Sequence, residues 1–283
     1  MANVLVTGAS GFVGARLVVD LERAGHRVVA LTHADGDVAD PHTFVGLGPV
    51  DHVFHLAART FVPDSWNDPL GFHRTNVLGT AAALEYCRHH EAAVTFISSY
   101  LYGRPEHLPV AESAPLVALN PYALSKLLGE QLCEFFAEHR GGRVTIARPF
   151  NLFGPGQRAD FLVSKVITQA KSGREIVVEN LEPRRDYLFV DDFLQGLLAT
   201  MNPPEGMRVF NFGSGKSYSV GEVISTVQAS LGTDLPVRHQ AMVRVHEIAE
   251  VRADITLAER ELGWVPQRSF EEGIRQTCRD GFC

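Results

Sequence analysis

Tyr122 and Lys126 stand four residues apart in a stretch that reads as a helix opening behind Asn120-Pro121. That spacing puts a phenol and an ammonium on one face, one turn apart. A phenol ordinarily titrates near 10 and is a poor base at neutral pH. A neighbouring cation favours its ionised form and moves it towards general acid–base work. Upstream, Phe96-Ile97-Ser98-Ser99 reads as the end of a strand and offers two hydroxyls. Neighbouring strand residues point to opposite faces, so Ser98 and Ser99 cannot both meet the phenol.

A second group of residues fits a large anion. In Asn3–Gly14 the apolar run Val4-Leu5-Val6 stops at a turn built on Gly8, Gly11 and Gly14, and the amphipathic stretch Phe12 to Ala24 follows. Strand, glycine turn and helix start together can hold a dinucleotide pyrophosphate, because bare amides point at the anion and glycine lets the backbone come close. The spacing is Gly-x-x-Gly-x-x-Gly, so it shares the mechanics of the commoner Gly-x-Gly-x-x-Gly rather than its letters. The next strand, Arg27–Leu31, should end beside an adenosine ribose. Its tip is Leu31-Thr32-His33, with no carboxylate until Asp35 and Asp37. An acid at the tip selects NAD, so its absence leans towards NADP, with Arg16 and His33 as candidate phosphate partners.

The elements that must carry these residues alternate. Strands are expected at Asp51–Ala57, Ala93–Ser98 and Arg143–Arg148, and helices at Pro69–His89 and Pro121–His139. This is the rhythm of a parallel sheet covered on both faces. Beyond Pro149 the segments shorten: a helix about Phe161–Ala170, a strand Glu175–Val178, a helix about Asp191–Thr200, a strand Arg208–Phe212, and a helix Val220–Leu231 capped by Ser219. Breaks at Gly154-Pro155-Gly156, Pro203-Pro204 and Gly213–Gly215 separate them. A first domain over 1–150 and a smaller lobe over 151–283 are expected, with later segments returning to the first sheet.

Composition sets outer bounds. The 283 residues, 45% hydrophobic and 21% charged, suit a globular chain with a full core. A net charge of −7 argues against a nucleic-acid surface. Cys87, Cys133, Cys278 and Cys283 have no metal-ligand spacing, so reduced thiols and no metal site are expected. Met-Ala-Asn carries no basic signal-peptide start, and no apolar run nears the ~20 residues of a membrane helix. A cytoplasmic protein with no membrane partner is the expectation.

Taken together, these motifs resemble the extended short-chain dehydrogenase/reductase family, within it the nucleotide-sugar epimerases, dehydratases and 4-ketoreductases. Thr7–Gly14 is similar to the family's cofactor turn, His55-Leu-Ala-Ala58 to its strand signature, and Asn76-Val-x-Gly79-Thr80 to its helix motif. Ser98-Ser99-Tyr-Leu-Tyr102-Gly103, Tyr122…Lys126, Arg148-Pro-Phe-Asn151 and Arg185-Asp-Tyr-Leu-Phe-Val-Asp191-Asp192 follow in order, then Asn211-Phe-Gly213-Ser-Gly215, Arg252-Ala-Asp254 and Leu262-Gly-Trp264-x-Pro266. The resemblance implies an α/β fold: a Rossmann-type doubly wound parallel sheet with a smaller, discontinuous C-terminal α/β substrate lobe. It implies Tyr122 as acid/base, Lys126 as its partner, and a strand-end serine on the same oxygen. Alignment of the strand selects Ser99; counting back from Tyr102 selects Ser98. It implies NADP or NAD against Gly8, Gly11, Phe12, Val13, Gly14, Asp37, Val38, Leu56, Ala57, Ala58 and Lys126, and a nucleoside diphosphate held by Asn151, Arg185 and Arg252. Tyr100-Leu101 stands where the dehydratases carry Asp-Glu, which argues against dehydration. The loop Thr60-Phe-Val-Pro63-Asp-Ser65 and Gly154-Pro-Gly-Gln157 are similar to GDP-6-deoxy-mannose 4-ketoreductases, so reduction of a 4-keto-6-deoxy sugar leads, with 4-epimerisation behind it. A homodimer through 69–89 and 121–139 is also implied, its seam drawing on Leu84, Tyr86, Leu128, Leu132 and Phe136. Asp191, Asp192, His55 and Trp264 read as structural.

Overall fold

The computed structural model describes residues 1–239 and 248–281; Cys283 lies outside them. In chain order the first half gives β1 (Asn3–Thr7), α1 (Gly14–Arg23), β2 (Arg27–Leu31), β3 (His52–His55), α2 (Val62–Asn67), α3 (Pro69–His73), α4 (Gly79–His90), β4 (Ala93–Ile97), α5 (Pro121–Arg140) and β5 (Val144–Pro149). The second half gives β6 (Asn151–Phe153), α6 (Leu162–Ser172), β7 (Ile176–Val178), β8 (Arg184–Phe189), α7 (Val190–Ala199), β9 (Met207–Phe212), β10 (Ser217–Ser219), α8 (Val220–Leu231), β11 (Val237–His239), β12 (Glu250–Val251), α9 (Thr256–Leu262) and α10 (Phe270–Asp280).

Two compact units result. The first comprises Met1–Gly103, Glu112–Pro149 and Leu194–Asn211. Its six-stranded sheet runs β2-β1-β3-β4-β5-β9, with β1 parallel to β2 and β3, and β4 parallel to β3 and β5. Strands β3 and β5 are buried along their whole length, as a sheet covered on both faces requires. The order reverses beside β1, the switch point at which such sheets bind ligands. Helix α5 starts as expected: Asn120 accepts from the Ala123 amide at 2.8 Å and Pro121 sits in the first turn.

The long helix expected at 69–89 is not uniform. Its register widens to a π-turn over Arg74–Leu78 between α3 and α4. The widening is confined to one turn and needs no special residue type, so the sequence does not announce it.

The second unit comprises Arg104–Ala111, Phe150–Phe193 and Phe212–Cys283. Strand β8 is its centre: β10 pairs with it antiparallel, while β12 and β6 run parallel to it. An aromatic cluster of Phe153, Tyr187, Phe189 and Phe270 fills its core. Helix α8 opens on Ser219 with a full capping box, Ser219 and Glu222 each bonding the other's backbone N–H.

Candidate active site

The glycine turn is built by close approach of backbones. Gly8 has φ +69°, and a Cβ there would sit 2.8 Å from the Ala57 nitrogen; one on Gly14 would sit 2.2 Å from the Gly8 carbonyl oxygen. The turn is thereby pressed between the end of β3 and the start of α1. Leu56 N donates to the Thr7 carbonyl at 3.3 Å and Ala57 N to Thr7 Oγ1 at 3.2 Å, so the Leu56-Ala57 backbone runs alongside the turn. No acid occupies the first turn of α1, which leaves its positive end open to an anion. Gly79 is also a contact residue: Val38 lies 2.8 Å from the Cβ position there, so the start of α4 seats Val38.

Behind the turn His55 forms a buried bridge. Thr80 Oγ1 donates to the Asn76 carbonyl at 2.6 Å, so His55 Nε2–H donates to Thr80 Oγ1 at 3.2 Å and Nδ1 accepts from Thr7 Oγ1 at 2.8 Å. Burial holds this imidazole neutral, at about 3, as suits a core group. Asn76 does comparable work on the other side. It accepts from Arg59 N at 2.8 Å, donates to the Arg59 carbonyl at 3.0 Å, and donates to Ser125 Oγ at 2.8 Å. The loop after β3, the π-turn and α5 are joined through this one amide.

The strand end sorts the two serines. Ser99 hydrogen-bonds the Tyr122 hydroxyl. Ser98 is buried and turned the other way, donating to Glu130 Oε1 at 2.5 Å. The structure therefore places Ser99, not Ser98, with Tyr122. Lys126 is 3% exposed, its Nζ donating to the Ile97 carbonyl at 2.7 Å above the Phe96 ring.

The electrostatics correct one expectation. The sequence suggested a phenol lowered by its lysine, yet burial pushes Tyr122 up to about 12, offset in part by the Ser99 hydrogen bond. Burial also draws Lys126 down to about 8. Desolvation decides both, because each group sits on the inner side of α5 and the ammonium is engaged by the Ile97 carbonyl.

A second correction concerns the β2 tip. Asp35 folds back, accepting from Thr32 N at 2.8 Å and Thr32 Oγ1 at 2.7 Å, so a carboxylate does stand beside the strand end. The Thr32 bonds hold it below the usual carboxylate range. The three residues between Leu31 and Asp35 hid this in the sequence. Asp37 accepts from Arg74 Nη2 at 2.9 Å and from Ala39 N at 2.9 Å.

Sequence reasoning missed the buried ion pair of the first unit. Arg148 holds Glu130 with two bonds, Nε–Oε1 at 3.0 Å and Nη2–Oε2 at 2.6 Å, and also donates to Tyr102 Oη at 3.0 Å. Glu130 lies one turn beyond Lys126, the one signal that could have flagged it.

In the second unit the three expected anion-binding residues gather around β8. Arg185 is on it, Val251 pairs with Arg185 and so brings Arg252 next, and Asn151 pairs with Tyr187. Arg252 Nε is buried with no hydrogen-bond partner among the described residues, an orphaned donor that fits an anionic ligand. Arg185 Nη1 donates to the Arg184 and Ile248 carbonyls. Buried Asp186, unforeseen in the sequence, accepts from Ser214 N at 2.6 Å, Gly215 N at 3.0 Å and Ala253 N at 3.0 Å, tying these segments together. Asp191 and Asp192 open α7 and meet Arg268, and Trp264 Nε1 donates to the Asp192 carbonyl at 2.8 Å. Among the described residues there is no metal-binding cluster, and no helix is long and apolar enough to cross a membrane.

A switch-point glycine turn, with Ser99 after β4 and Tyr122 and Lys126 on α5 of the same unit, fits a nicotinamide-dependent short-chain dehydrogenase/reductase. The chain belongs to the NAD dependent epimerase/dehydratase family, matching it over residues 4–221. It is similar to the GDP-6-deoxy-D-mannose reductase of Pseudomonas aeruginosa, 32% identical across 98% of this chain and 96% of that protein. It is also similar to the UDP-glucose 4-epimerase of Mycolicibacterium smegmatis, 30% identical across 97% of each. Among solved structures, RMD from Pseudomonas aeruginosa complexed with NADPH superposes with a TM-score of 0.91 at 31% identity, covering 99% of this chain and 98% of that one. UDP-glucose 4-epimerase from Thermotoga maritima with UDP-glucose gives 0.91 at 26% identity, covering 98% of each.

Proposed function

We propose that this enzyme reduces the C4 carbonyl of a nucleoside-diphosphate 4-keto-6-deoxy sugar, with NADPH as the working cofactor. The carrying observation is the Tyr122 phenol, hydrogen-bonded to Ser99 after β4 and one helical turn from the buried Lys126 on α5. A bound dihydronicotinamide supplies hydride. Tyr122 gives the proton to the sugar oxygen while the Ser99 hydroxyl bonds that same oxygen, and the Lys126 ammonium favours the phenolate left behind. Gly8, Gly11, Phe12, Val13 and Gly14 receive the pyrophosphate. Leu56, Ala57 and Ala58 flank it, with Asp37 and Val38 towards the adenosine. Asn151, Arg185 and Arg252 hold the substrate diphosphate, whose oxygens suit the planar guanidinium. The reductase of Pseudomonas aeruginosa supports the reading.

The 4-epimerase relatives and the Asp35 carboxylate at the β2 tip favour a second reading, epimerisation with retained NAD. That route needs Tyr122 to take the proton from the sugar hydroxyl before returning it, the reverse of its role in reduction. Incubating the purified protein with NADPH and a panel of nucleotide 4-keto-6-deoxy sugars separates the two. NADPH oxidation is expected; interconversion of 4-epimers by protein carrying its own NAD, with no NADPH consumed, would reject reduction.

The proposed assembly is a cytoplasmic homodimer seated on the outer faces of α4 and α5. The seam needs revision, since Leu84, Tyr86 and Phe136 are buried in the chain's own core, with Leu132 packed against it. The outward stripe is instead Leu124, Leu128 and Phe135 on α5 with Leu78 beside α4; Leu78 and Phe135 are each 55% exposed. Sedimentation of Phe135→Glu tests it, with monomers expected.

A further inference from the structure

Ser98 and Ser99 are adjacent at the end of β4, and the chain must hold one inward for the other to reach Tyr122. The inward hold is fully built. Ser98 Oγ donates to Glu130 Oε1 at 2.5 Å, and Arg148 grips the same carboxylate from β5 with two bonds. Arg148 is itself fixed, donating through Nη1 to Tyr102 Oη at 3.0 Å and to the Glu112 carbonyl at 3.0 Å. Ser98, Glu130, Arg148 and Tyr102 are all 5% exposed or less. Such an assembly has no slack, because moving one member strands a buried charge.

Glu130 also bears on Lys126. The two lie four residues apart on one face of α5, both buried, and the carboxylate favours the ammonium form against the cost of desolvation. The other groups around Lys126 are Tyr122 and Cys133 on its own helix, His55 on β3, and the Phe96 ring and Ile97 carbonyl on β4. Cys133 is a thiol raised well above its ordinary value, and His55 is neutral, so neither supplies charge at neutral pH. Among the described residues Glu130 is therefore the one carboxylate acting on this ammonium, and Arg148 holds it in place with two bonds.

We propose that Glu130 is a positioning residue for the Ser99–Tyr122–Lys126 site: through Ser98 it sets which serine meets the phenol, and one turn along α5 it is the buried counter-charge of Lys126. The proposal rests on the catalytic reading above, and its first test needs no substrate. The chain has four lysines, Lys126, Lys165, Lys171 and Lys216, so carbon-13 labelling of the lysine side chains gives four titrating signals, with Lys126 assigned by its loss in Lys126→Arg.

In the wild type the Lys126 signal is expected to titrate near 8. In Glu130→Gln its acid dissociation constant should rise about tenfold or more while the other three lysines stay put. If Glu130→Gln does not fold because Arg148 is left unpaired, Glu130→Gln/Arg148→Gln replaces it, and a fall in the Lys126 midpoint is again expected. An unchanged midpoint in the folded variant overturns the counter-charge. Ser98→Ala tests the other arm: kcat for NADPH oxidation should fall about tenfold with KM little changed and the Lys126 midpoint unmoved, and Ser98→Thr should restore kcat. Wild-type kcat in Ser98→Ala overturns the serine hold. Failure of the catalytic reading shows separately, as Tyr122→Phe retaining activity while the lysine titration still shifts.

Discussion

Gly14 is where the cofactor turn can be tested by a single methyl group. A Cβ there meets the Gly8 carbonyl oxygen at 2.2 Å, the Gly8 carbonyl carbon at 2.9 Å and the Ala9 Cα at 3.0 Å. All three are backbone atoms and cannot swing aside. Ordinary contact begins at 3.4 Å, so Gly14→Ala forces about 1.2 Å of separation between the turn and α1. A charge-assisted hydrogen bond of about 2.9 Å stretched that far is lost. One such bond is worth ~1.5–3 kcal/mol, so NADPH affinity should weaken about 10- to 150-fold. Fluorescence titration with NADPH measures this, with circular dichroism showing that the variant is folded. Gly11→Ala is the control, since its Cβ approaches only the Gly8 carbonyl oxygen, at 3.1 Å, and a several-fold smaller loss is expected. Folded Gly14→Ala that binds NADPH within a factor of two of wild type, or Gly11→Ala that is the worse of the two, refutes the reasoning.

Other outcomes follow from the same geometry. Lys126 loses its proton near 8 in the folded chain but near its ordinary 10.5 when unfolded, so between those values the unfolded state binds more protons. Activity should therefore fall above about pH 8 while this lysine's contribution to stability rises, and parallel rate and urea-midpoint profiles check the opposed signs. Arg252→Ala should weaken binding of a nucleoside diphosphate about tenfold or more in calorimetry with NADPH affinity unchanged, because Arg252 belongs to the second unit and carries an orphaned buried nitrogen. Asp35→Ser removes the carboxylate beside Thr32 and should raise the ratio of kcat/KM for NADPH over NADH several-fold; a ratio shifted towards NADH contradicts the role given to that acid.

Much of this was legible because local physics agreed with the fold. Asn120-Pro121 announced α5, Ser219 announced α8, and three glycines after an apolar strand announced the turn. What escaped the sequence depends on atoms distant along the chain or on small backbone departures. The π-turn at Arg74–Leu78 is a single widened turn with no residue type that marks it, and Asp35 returns to the β2 tip only through a bend. Glu130 and Arg148 are 18 residues apart and no spacing rule pairs them, though both are buried. Asp186 reaches segments 28 and 67 residues away. The direction of the Tyr122 shift also escaped, since spacing shows which charge is near but not how much water is gone.

The central claim is that Tyr122 donates the proton at sugar C4, and the most direct measurement is NADPH oxidation by Tyr122→Phe with a nucleotide 4-keto-6-deoxy sugar. Removing a general acid costs about 10²- to 10⁴-fold, so kcat should fall by at least the lower figure while NADPH binding is kept. A folded Tyr122→Phe protein that turns over at close to the wild-type rate contradicts it.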